Sequence, residues 1–476
     1  MLPTETQILV VGAGPSGLTA AISLICNGIK PADLTIVDCL EKGGNTSRAI
    51  AIHAATLEDL DAYDCASRLV DLGIKGSSWT ISNRSSTIFQ TSFKYNAPYT
   101  KFPFVLILEQ TATEHVLEER LKELGVQVKR PWRVVGMKDG EGGKGMDVSF
   151  ESGETMRAKY VIGADGARSA VRQLAGINFT DPDGKSIDDS VDDHVAQMVI
   201  ADVCLSLPEK QASELATGSG VNITISGGGM FLLIPLGKPA VSELLYNSSE
   251  PVYRVGFNIP RALGQPPSTP SLEYIQSNLD MQAPLELCSD PKINPNPVKI
   301  TKVLWSTRYR TRSALADVFF KRVHGGFVFL VGDAAHIHSP AGGQMSILYF
   351  HSLISVRLTT YLLWNVHGMN LGLRDAAGLG PILAEHIRAT EKIHATTSVD
   401  GQAEFVADTT ALETYAASRR ERGLNNIQLT KRLMRIVGFV MKPHLFNWPL
   451  WLLSFFSHVR MIKSVLVYRL GGFSNR

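Results

Sequence analysis

The segment QILVVGAGPSGLTAAISLICNGI, residues 7–29, decides the fold of this 476-residue chain. Branched apolar residues are followed by glycines and then by apolar residues at helical spacing, which predicts a buried strand, a tight turn and a helix. The loop fits the pattern GxGxxG and consists of Gly12, Gly14, Pro15, Ser16 and Gly17. The first glycine allows the turn, the second lets a diphosphate approach the backbone, and the third lets helix and strand pack closely.

The segment LTIVD, residues 34–38, supplies the second strand that this motif requires. It ends in Asp38, about 20 residues past the last glycine, where a carboxylate can accept hydrogen bonds from a ribose. The two strands and the loop together predict a Rossmann-type dinucleotide-binding unit. A second glycine-rich run, DGEGGKGM at 139–146, lies between two strand-like segments and is expected to be a hairpin loop.

Composition excludes several other classes of protein. The chain is 44% apolar and 19% charged, which is typical of a globular protein with two or three packed units. The 47 basic and 45 acidic residues give a net charge of +2, so no general attraction to nucleic acid is expected. The five cysteines are scattered and never spaced as CxxC, which argues against a disulfide framework and a zinc site and favours a cytoplasmic location. The N-terminus is interpreted as a strand and not as a signal peptide.

Two further segments end a predicted strand in a glycine and an aspartate. They are KYVIGADGARSAVRQLAGI (159–177), with Asp165 and Gly166, and GGFVFLVGDAAHIHSPAGGQ (325–344), with Gly332 and Asp333. Arg168 and Arg172 follow the first turn at helix-like spacing. Each turn by itself would fit the end of a strand in any α/β protein.

Together, and in this order behind the N-terminal loop, the three motifs resemble the single-component FAD-dependent aromatic hydroxylases, the p-hydroxybenzoate hydroxylase and phenol hydroxylase group. The resemblance runs from residue 8 to about residue 425 and is strongest to fungal members that act on phenolic or prenylated aromatic secondary metabolites. It also includes RAIAIHAATLEDL (48–60), PFVLILEQTATEHVLEERLKELGV (103–126) and ALETYAASRRERG (411–423).

The resemblance implies a set of cofactor contacts. It assigns the ADP half of FAD to the glycine loop and Asp38, and further contacts with FAD to Arg48 and Gln110. Asp165 and Gly166 would serve FAD and NADPH together, whereas Gly332 and Asp333 would bind the ribityl chain. The remaining implied positions lie in the loop beside the flavin ring and are Pro340, Gly343, Gly368, Met369 and Asn370.

The resemblance also implies a reaction. NADPH or NADH would reduce FAD, O2 would add at the flavin C4a position, and the terminal oxygen of the hydroperoxide would pass to a phenolic or prenylated aromatic substrate. No catalytic base is assigned: Tyr253, Arg308 and Tyr309 lie in plausible segments, but packing roles are favoured for them. The alternatives are oxidative decarboxylation, ring opening or epoxidation on the same scaffold, or a catalytically silent FAD-binding protein.

The expected fold class is α/β, with a Rossmann-type FAD-binding domain interleaved with a mixed-sheet substrate domain and followed by a C-terminal helical tail. The strand-like segments VNITI, MFLLIPL and VYRVGFNI are expected in the substrate sheet, which strands from 80–112 would join. The expected division is 1–178 and 311–425 for the FAD-binding domain, 179–310 for the substrate domain and 426–476 for the tail.

An unusual segment interrupts the flavin loop. In the family pattern GGQGMN leads straight into a helix, whereas here GGQ at 342–344 is separated from GMN at 368–370 by residues 345–367, of which 14 are apolar. Three interpretations are open: an evolved insertion, a retained intron or gene-model error, and a transmembrane helix. Excising the segment would restore the expected loop without a gap.

Two smaller features allow more than one interpretation. His336 and His338 lie near the third motif, but without a third ligand at suitable spacing they are expected to have loop and packing roles, so no metal site is predicted. The apolar segment FNWPLWLLSFF, residues 446–456, fits either a helix pair covering a core or weak contact with a membrane surface. The expected partners are a small aromatic substrate and O2, and no oligomeric state is predicted.

Overall fold

The computed structural model describes most of the chain. The described residues are 2–43, 49–143, 145–184, 197–218, 220–226, 229–236, 241, 243, 246, 248–259, 264–309, 313–337, 368–396, 407–440 and 460–473. Several positions discussed above lie outside them, namely Arg48, His338, Pro340, Gly343, the segment 345–367 and the segment 446–456.

Strands and helices alternate through the described residues. The strands are β1 (Glu5–Val11), β2 (Leu34–Val37), β3 (Ala51–Ile52), β4 (Ile74–Gly76), β5 (Ser78–Ser82), β6 (Thr87–Ser92), β7 (Val105–Ile107), β8 (Val134–Asp139), β9 (Met146–Phe150), β10 (Thr155–Gly163), β11 (Phe179–Thr180), β12 (Gln197–Leu205), β13 (Val221–Ser226), β14 (Gly229–Pro235), β15 (Val252–Ile259), β16 (Ile300–Tyr309), β17 (Ala314–Ala316), β18 (Phe320–Val323), β19 (Gly326–Leu330) and β20 (His336–Ile337). The α-helices are α1 (Pro15–Cys26), α2 (Ala54–Asp61), α3 (Ala66–Leu72), α4 (Gln110–Glu123), α5 (Ala170–Leu174), α6 (Glu209–Gly218), α7 (Leu272–Gln282), α8 (Gly368–Thr396), α9 (Thr410–Val440) and α10 (Arg460–Leu470).

The first sheet is the centre of the FAD-binding part. Its strands run in the order β18-β19-β10-β1-β2, with β9 and β8 attached to β10. The pairs β1 with β2, β1 with β10 and β10 with β19 are parallel. Strand β1 is apolar throughout its second half because both of its faces are covered: Ile8 and Val10 pack in the core that contains α1 and α8, and Leu9 and Val11 pack in the core on the other side.

The second sheet is the substrate sheet and has seven strands in the order β16-β12-β15-β14-β13-β5-β6. One face packs against α7, where Val203, Tyr253 and Phe231 share a core with Ile275 of that helix. Because side chains alternate along a strand, the residues next to these point to the opposite face. On that face Cys204 shares a core with Ile107 of β7. The substrate sheet is therefore buried between α7 and the FAD-binding part.

The sequence-based strand predictions are largely confirmed. The three segments VNITI, MFLLIPL and VYRVGFNI form β13, β14 and β15 of one sheet. Of the strands in 80–112, β5 and β6 join that sheet, whereas β7 pairs with β3 and β4 in a separate three-stranded sheet. The glycine-rich run after β8 is the predicted hairpin connection, because β8 and β9 pair antiparallel.

The helices at the carboxyl end of the chain pack on the FAD-binding part. The predicted boundary at residue 425 falls inside α9, so the helical tail continues an element that begins at Thr410. After α10, the backbone oxygen of Gly471 accepts a hydrogen bond from Ala55 N at 2.9 Å, and the oxygen of Gly472 accepts one from Arg374 Nη1 at 3.1 Å. None of the helices in the described part of the chain is long and apolar enough to cross a bilayer.

Candidate cofactor site

The three glycines of the loop between β1 and α1 have different roles. Gly12 has φ +104°, and a Cβ atom there would lie 2.3 Å from the backbone oxygen of Ala164. A Cβ at Gly17 would lie 1.9 Å from the backbone oxygen of Gly12. A Cβ at Gly14 would meet no atom of the described part of the chain within 4 Å, so this position is open there. Gly12 and Gly17 are thus required by packing, and Gly14 leaves the backbone at the start of a 12-residue helix accessible to a ligand.

Asp38 lies directly beyond β2 and reaches back to the loop. Its Oδ2 atom accepts a hydrogen bond from Ala13 N at 2.7 Å, and its Oδ1 atom accepts one from Leu40 N at 2.8 Å. Arg130 Nη1 lies 3.6 Å from Oδ1. The carboxylate is therefore fixed beside the phosphate-binding loop, in the position from which a ribose could be recognised.

Gln110 begins α4 and makes a local contact. Its Nε2 atom donates to Glu114 Oε1 at 2.9 Å. Burial raises the pKa of Glu114 to about 7, and the neighbouring charge of Asp38 also raises it. The start of α4, which contains Glu114, therefore lies close to Asp38, the carboxylate predicted to bind the ribose.

The turn after β10 contains Asp165 and Gly166. The Asp165 Oδ2 atom accepts hydrogen bonds from Ala170 N at 2.7 Å and Val171 N at 3.1 Å, which orders the start of α5. Its Oδ1 atom is buried and has no hydrogen-bond partner within the described residues. Burial raises the pKa of this carboxyl, although hydrogen bonds from Ser169 and the α5 backbone oppose the effect.

The two arginines after this turn differ. Arg168 precedes α5, whereas Arg172 lies within it and is buried. Arg172 donates through Nη1 to Ala334 O and through Nη2 to Ala167 O, both at 2.8 Å. It therefore joins the second motif turn to the third by a bond to the backbone.

The third turn meets two helices. Gly332 has φ +61°, and a Cβ atom there would lie 2.4 Å from Ser16 Oγ. A Cβ at Gly372, in the first turns of α8, would lie 2.5 Å from the same oxygen and 2.9 Å from Gly332 Cα. The start of α1, the third turn and the beginning of α8 thus converge within contact distance, and the adjacent Asp333 is exposed.

Asn370, near the start of α8, is used in packing. Its Oδ1 atom accepts from His53 N and its Nδ2 atom donates to Ala51 O, both at 2.8 Å. Burial and, to a smaller extent, the charge of Arg374 lower the pKa of His53 to about 4, so this ring is neutral near pH 7. The side chain of Asn370 therefore fastens α8 to the strand β3, and Gly368 and Met369 precede it at the helix start.

His336, in strand β20, also makes a contact that holds elements of the fold together. Its Nε2 atom lies 2.7 Å from Asp375 Oδ2 of α8, and both residues are buried. No group of three or more histidine, cysteine, aspartate or glutamate side chains within the described residues is arranged to hold a metal ion. His336 thus has a packing contact between the third turn and α8.

One group of polar residues was not indicated by the sequence. It lies between the substrate sheet and the FAD-binding part. Asp202 and Arg254 form a buried ion pair, with Arg254 Nε 2.7 Å from Asp202 Oδ1. Tyr246 Oη lies 2.5 Å from Glu109 Oε2 and 2.9 Å from Asp202 Oδ2. The four residues come from separate segments, and only the position of Glu109 beside Gln110 could have drawn attention to any of them.

A cavity of about 470 Å³ opens at the other end of the first sheet. It is lined by Glu5, Gln7, Lys159 and Glu391 among others, at the amino ends of β1 and β10. Ligands of doubly wound sheets bind beyond the carboxyl ends of the strands, where the three motif turns lie. The cavity is therefore separate from the cofactor site.

Comparison with known proteins places the chain in a family. A family model described as FAD binding domain matches residues 5–236 and 292–345, and the chain belongs to this family of FAD-binding proteins. The match ends at the first residue of the segment 345–367.

Relatives with names include several monooxygenases. 6-Methylpretetramide 4-monooxygenase of Streptomyces rimosus is 26% identical over 98% of this chain and 68% of its own length. Pentachlorophenol 4-monooxygenase of Sphingobium chlorophenolicum is 26% identical over 79% of this chain and 57% of its own length. The chain thus spans roughly three fifths to two thirds of the relatives it matches.

Solved structures share the fold. The p-nitrophenol 4-monooxygenase PnpA from Pseudomonas putida DLL-E4 has a TM-score of 0.67 at 19% identity, covering 99% of this chain and 98% of that one. The flavin-dependent monooxygenase PieE, solved with FAD and substrate, has a TM-score of 0.63 at 18% identity, covering 99% of this chain and 71% of that one. These similarities establish the predicted aromatic hydroxylase fold.

The described residues fit the cofactor of this family. The open backbone at Gly14 would accommodate a diphosphate, and Asp38 is held beside the same loop, from which its carboxylate would reach a ribose. The uncommitted, buried Oδ1 atom of Asp165 supplies an acceptor at the same edge of the sheet. The predicted residues of all three turns are therefore brought together, whereas the side chains of Gln110 and Asn370 bond to neighbouring protein groups.

Proposed function

We propose that the protein is an FAD-dependent, NAD(P)H-consuming monooxygenase that hydroxylates a phenolic or related aromatic small molecule. The observation that carries the proposal is the convergence of three separated turns, at Gly14, Asp165 and Gly332, at the carboxyl edge of one parallel sheet. Two of the similar proteins act by name on pentachlorophenol and p-nitrophenol, which are both phenols, and this supports the substrate class.

FAD, when bound, would supply acceptance of hydride from NAD(P)H and activation of O2 at its C4a position. The residues of this chain would do the rest. The glycine loop and Asp38 would hold the diphosphate and ribose, Asp165 would accept a hydrogen bond from the cofactor, and Gly332 would let the chain pass close to it. The buried face of the substrate sheet would exclude water from the aromatic substrate.

The test uses the purified full chain. We expect it to take up FAD, and we expect NADPH oxidation to rise when a phenol from a panel of alkylated and prenylated phenols is added. Mass spectrometry should then detect the phenol with one added oxygen atom. Folded protein that takes up FAD but never oxidises NADPH faster with any aromatic compound would contradict the proposal.

A second candidate function is supported by one observation. The family match stops at residue 345, where the flavin loop of the family pattern is interrupted. On this alternative the chain binds FAD but is catalytically silent. Bound FAD without turnover in the full chain, and turnover after removal of residues 345–367, would favour the silent form over the active enzyme.

A further inference from the structure

The polar group of Glu109, Asp202, Tyr246 and Arg254 lies between the substrate sheet and the FAD-binding part. Asp202 of β12 and Arg254 of β15 are directly paired across the two strands. Their neighbours Val203 and Tyr253 point to the face covered by α7, so Asp202 and Arg254 point to the opposite face. This is the face that packs toward β7, and Glu109 follows β7 on the FAD-binding side. The group therefore lies at the junction of the two sheets.

The hydroxyl of Tyr246 touches two carboxyl groups but has a single proton. Its oxygen is 2.5 Å from Glu109 Oε2 and 2.9 Å from Asp202 Oδ2. A hydroxyl can donate to only one of these oxygens at a time, whereas it can also accept a hydrogen bond. With Glu109 ionised, Tyr246 donates to Glu109. With a proton on Glu109 Oε2, Glu109 donates to Tyr246, which then donates to Asp202. The geometry therefore accommodates both protonation states of Glu109.

Charge balance favours the uptake of one proton by this group. Asp202 already has a positive partner, because Arg254 donates to both of its oxygens at 2.7 and 2.8 Å. Among the described residues Glu109 has no such partner, and the charged or titratable groups there that act on it are Tyr246, Asp202 and Arg254. Burial, together with the smaller effect of the Asp202 charge, outweighs the hydrogen bond to Tyr246 and the charge of Arg254 and raises the pKa of Glu109 to about 7. One added proton makes the group neutral.

Glu109 also has an oxygen to which no group in the described part of the chain is bonded. The residue is 1% exposed, and its Oε1 atom has no hydrogen-bond partner within the described residues. An ionised carboxylate is an acceptor only, and leaving a buried acceptor unpaired is costly. A hydroxyl group of a bound molecule would satisfy this oxygen.

We propose that Glu109 binds the hydroxyl group of a phenolic substrate through Oε1 and receives its proton, with Tyr246 and the Asp202–Arg254 pair as positioning residues behind it. The proposal rests on the proposed function, because it names the residue that would recognise a phenol at that site. In the transfer, the O–H bond of the phenol breaks and an O–H bond forms at Glu109 Oε1. The electron pair stays on the phenol oxygen, which makes the ring more electron-rich, and no redox change occurs.

The test measures binding to the FAD-loaded full chain. Phenols from the panel and their methyl ethers are titrated while the absorbance of the bound flavin is followed. In the unsubstituted protein we expect the phenol to bind about tenfold more tightly than its methyl ether, because only the phenol can donate to a charged acceptor. Glu109→Leu should abolish this preference. Glu119→Leu is the matched control, since Glu119 is on the surface of α4 with its side chain 59% exposed, and should keep it.

A second titration separates proton acceptance from a purely structural role. The affinity for a phenol that stays neutral in solution should rise from about pH 6 to about pH 8, because Glu109 becomes a better acceptor as it ionises. Glu109→Gln retains an acceptor oxygen but cannot ionise, so its affinity should be independent of pH over this range. Glu119→Gln should behave as the unsubstituted protein.

The outcomes are distinguishable. If no phenol perturbs the flavin in the unsubstituted protein, the proposed function fails and the inference fails with it. If phenols bind but the preference over methyl ethers survives Glu109→Leu, or the pH dependence survives Glu109→Gln, the inference is wrong while the proposed function stands. Loss of both with retention in the Glu119 variants would support it.

Discussion

At the scale of single residues, the glycine loop shows how one motif combines packing and binding. Backbone atoms lie less than 3 Å from where a side chain would begin at Gly12 and Gly17, whereas no atom of the described residues lies within 4 Å of that point at Gly14. The conformation of Gly14, with φ −75° and ψ −179°, is one that any residue adopts. Neither packing nor backbone conformation requires a glycine at this position. We therefore infer that a bound molecule requires it.

This contrast gives a prediction for Gly14→Ala. The added methyl group should leave the fold intact and lower the affinity for FAD at least tenfold, because it would occupy the space of the approaching diphosphate. Thermal unfolding of the FAD-free protein and a fluorescence titration with FAD measure the two effects. Gly136→Ala, in the strand β8, is the control and should leave the affinity for FAD unchanged. Equal affinity for FAD in the Gly14 variant would contradict the assignment.

Residues in local motifs could be predicted from sequence, and the polar group at the substrate sheet could not. Gly12, Asp38, Asp165 and Gly332 belong to short patterns in which a strand end and its turn are contiguous. Glu109, Asp202, Tyr246 and Arg254 lie in four distant segments and meet only because β12 pairs with β15 against the FAD-binding part. Tyr253, which lies in a segment considered plausible for a catalytic base, packs toward α7 on the opposite face.

At the scale of elements, the beginning of α8 packs tightly against the third turn and the glycine loop. Gly372 passes Gly332 and Ser16 so closely that helix, turn and glycine loop are one packed unit. Asn370 fastens the same helix to β3 through two hydrogen bonds. Any displacement of the helix would therefore move the third turn, where the ribityl chain is predicted to bind.

The substitution Gly372→Ala has two opposing effects on the stability of the protein. Alanine is preferred over glycine inside a helix by about 1 kcal/mol, but overpacking a tight contact costs about 1–3 kcal/mol. Because the new Cβ atom would lie 2.9 Å from the backbone atom Gly332 Cα, we expect the cost to prevail, with a lower melting temperature and weaker binding of FAD. Glu385→Ala, at an exposed position of the same helix, should change neither. A more stable Gly372 variant would show that the contact relaxes freely.

Strands were predictable where their burial pattern was simple. The apolar runs of β1 and β14 reflect strands covered on both faces, and the glycine-rich run after β8 is a hairpin as expected. The division of 80–112 between two sheets was not predictable, because the sequence of a strand does not specify which distant strands it pairs with. The continuous helix α9 likewise crosses the predicted boundary at 425, because Gly423 lies inside the helix and does not end it.

At the scale of the whole molecule, the interrupted flavin loop is the main departure from the family. The family match and the sequence pattern both break at residue 345. Lengthening a loop from roughly 6 to roughly 30 residues is about two doublings, each of which costs about 0.6 kcal/mol. This is small beside a folding free energy of about 5–15 kcal/mol, so the extra length alone does not unfold a protein.

Removal of residues 345–367 joins Gln344 to Gly368 and restores the GGQGMN pattern. We predict that the shortened chain oxidises NADPH at least tenfold faster than the full chain in the presence of a phenol, while the melting temperature changes little. Stopped-flow and steady-state absorbance at the NADPH band provide the comparison. Equal rates for the two chains would mean that the segment does not disturb the flavin loop.

The central claim is that one FAD molecule binds across the carboxyl edge of the first sheet, with its diphosphate at the start of α1 and its ribityl chain near Gly332. The most direct measurement is an equilibrium titration of the folded, flavin-free full chain with FAD, followed by absorbance and calorimetry. We expect saturation at one FAD per chain in the unsubstituted protein and a large loss of affinity in Gly14→Ala. Folded protein that takes up no FAD would contradict it.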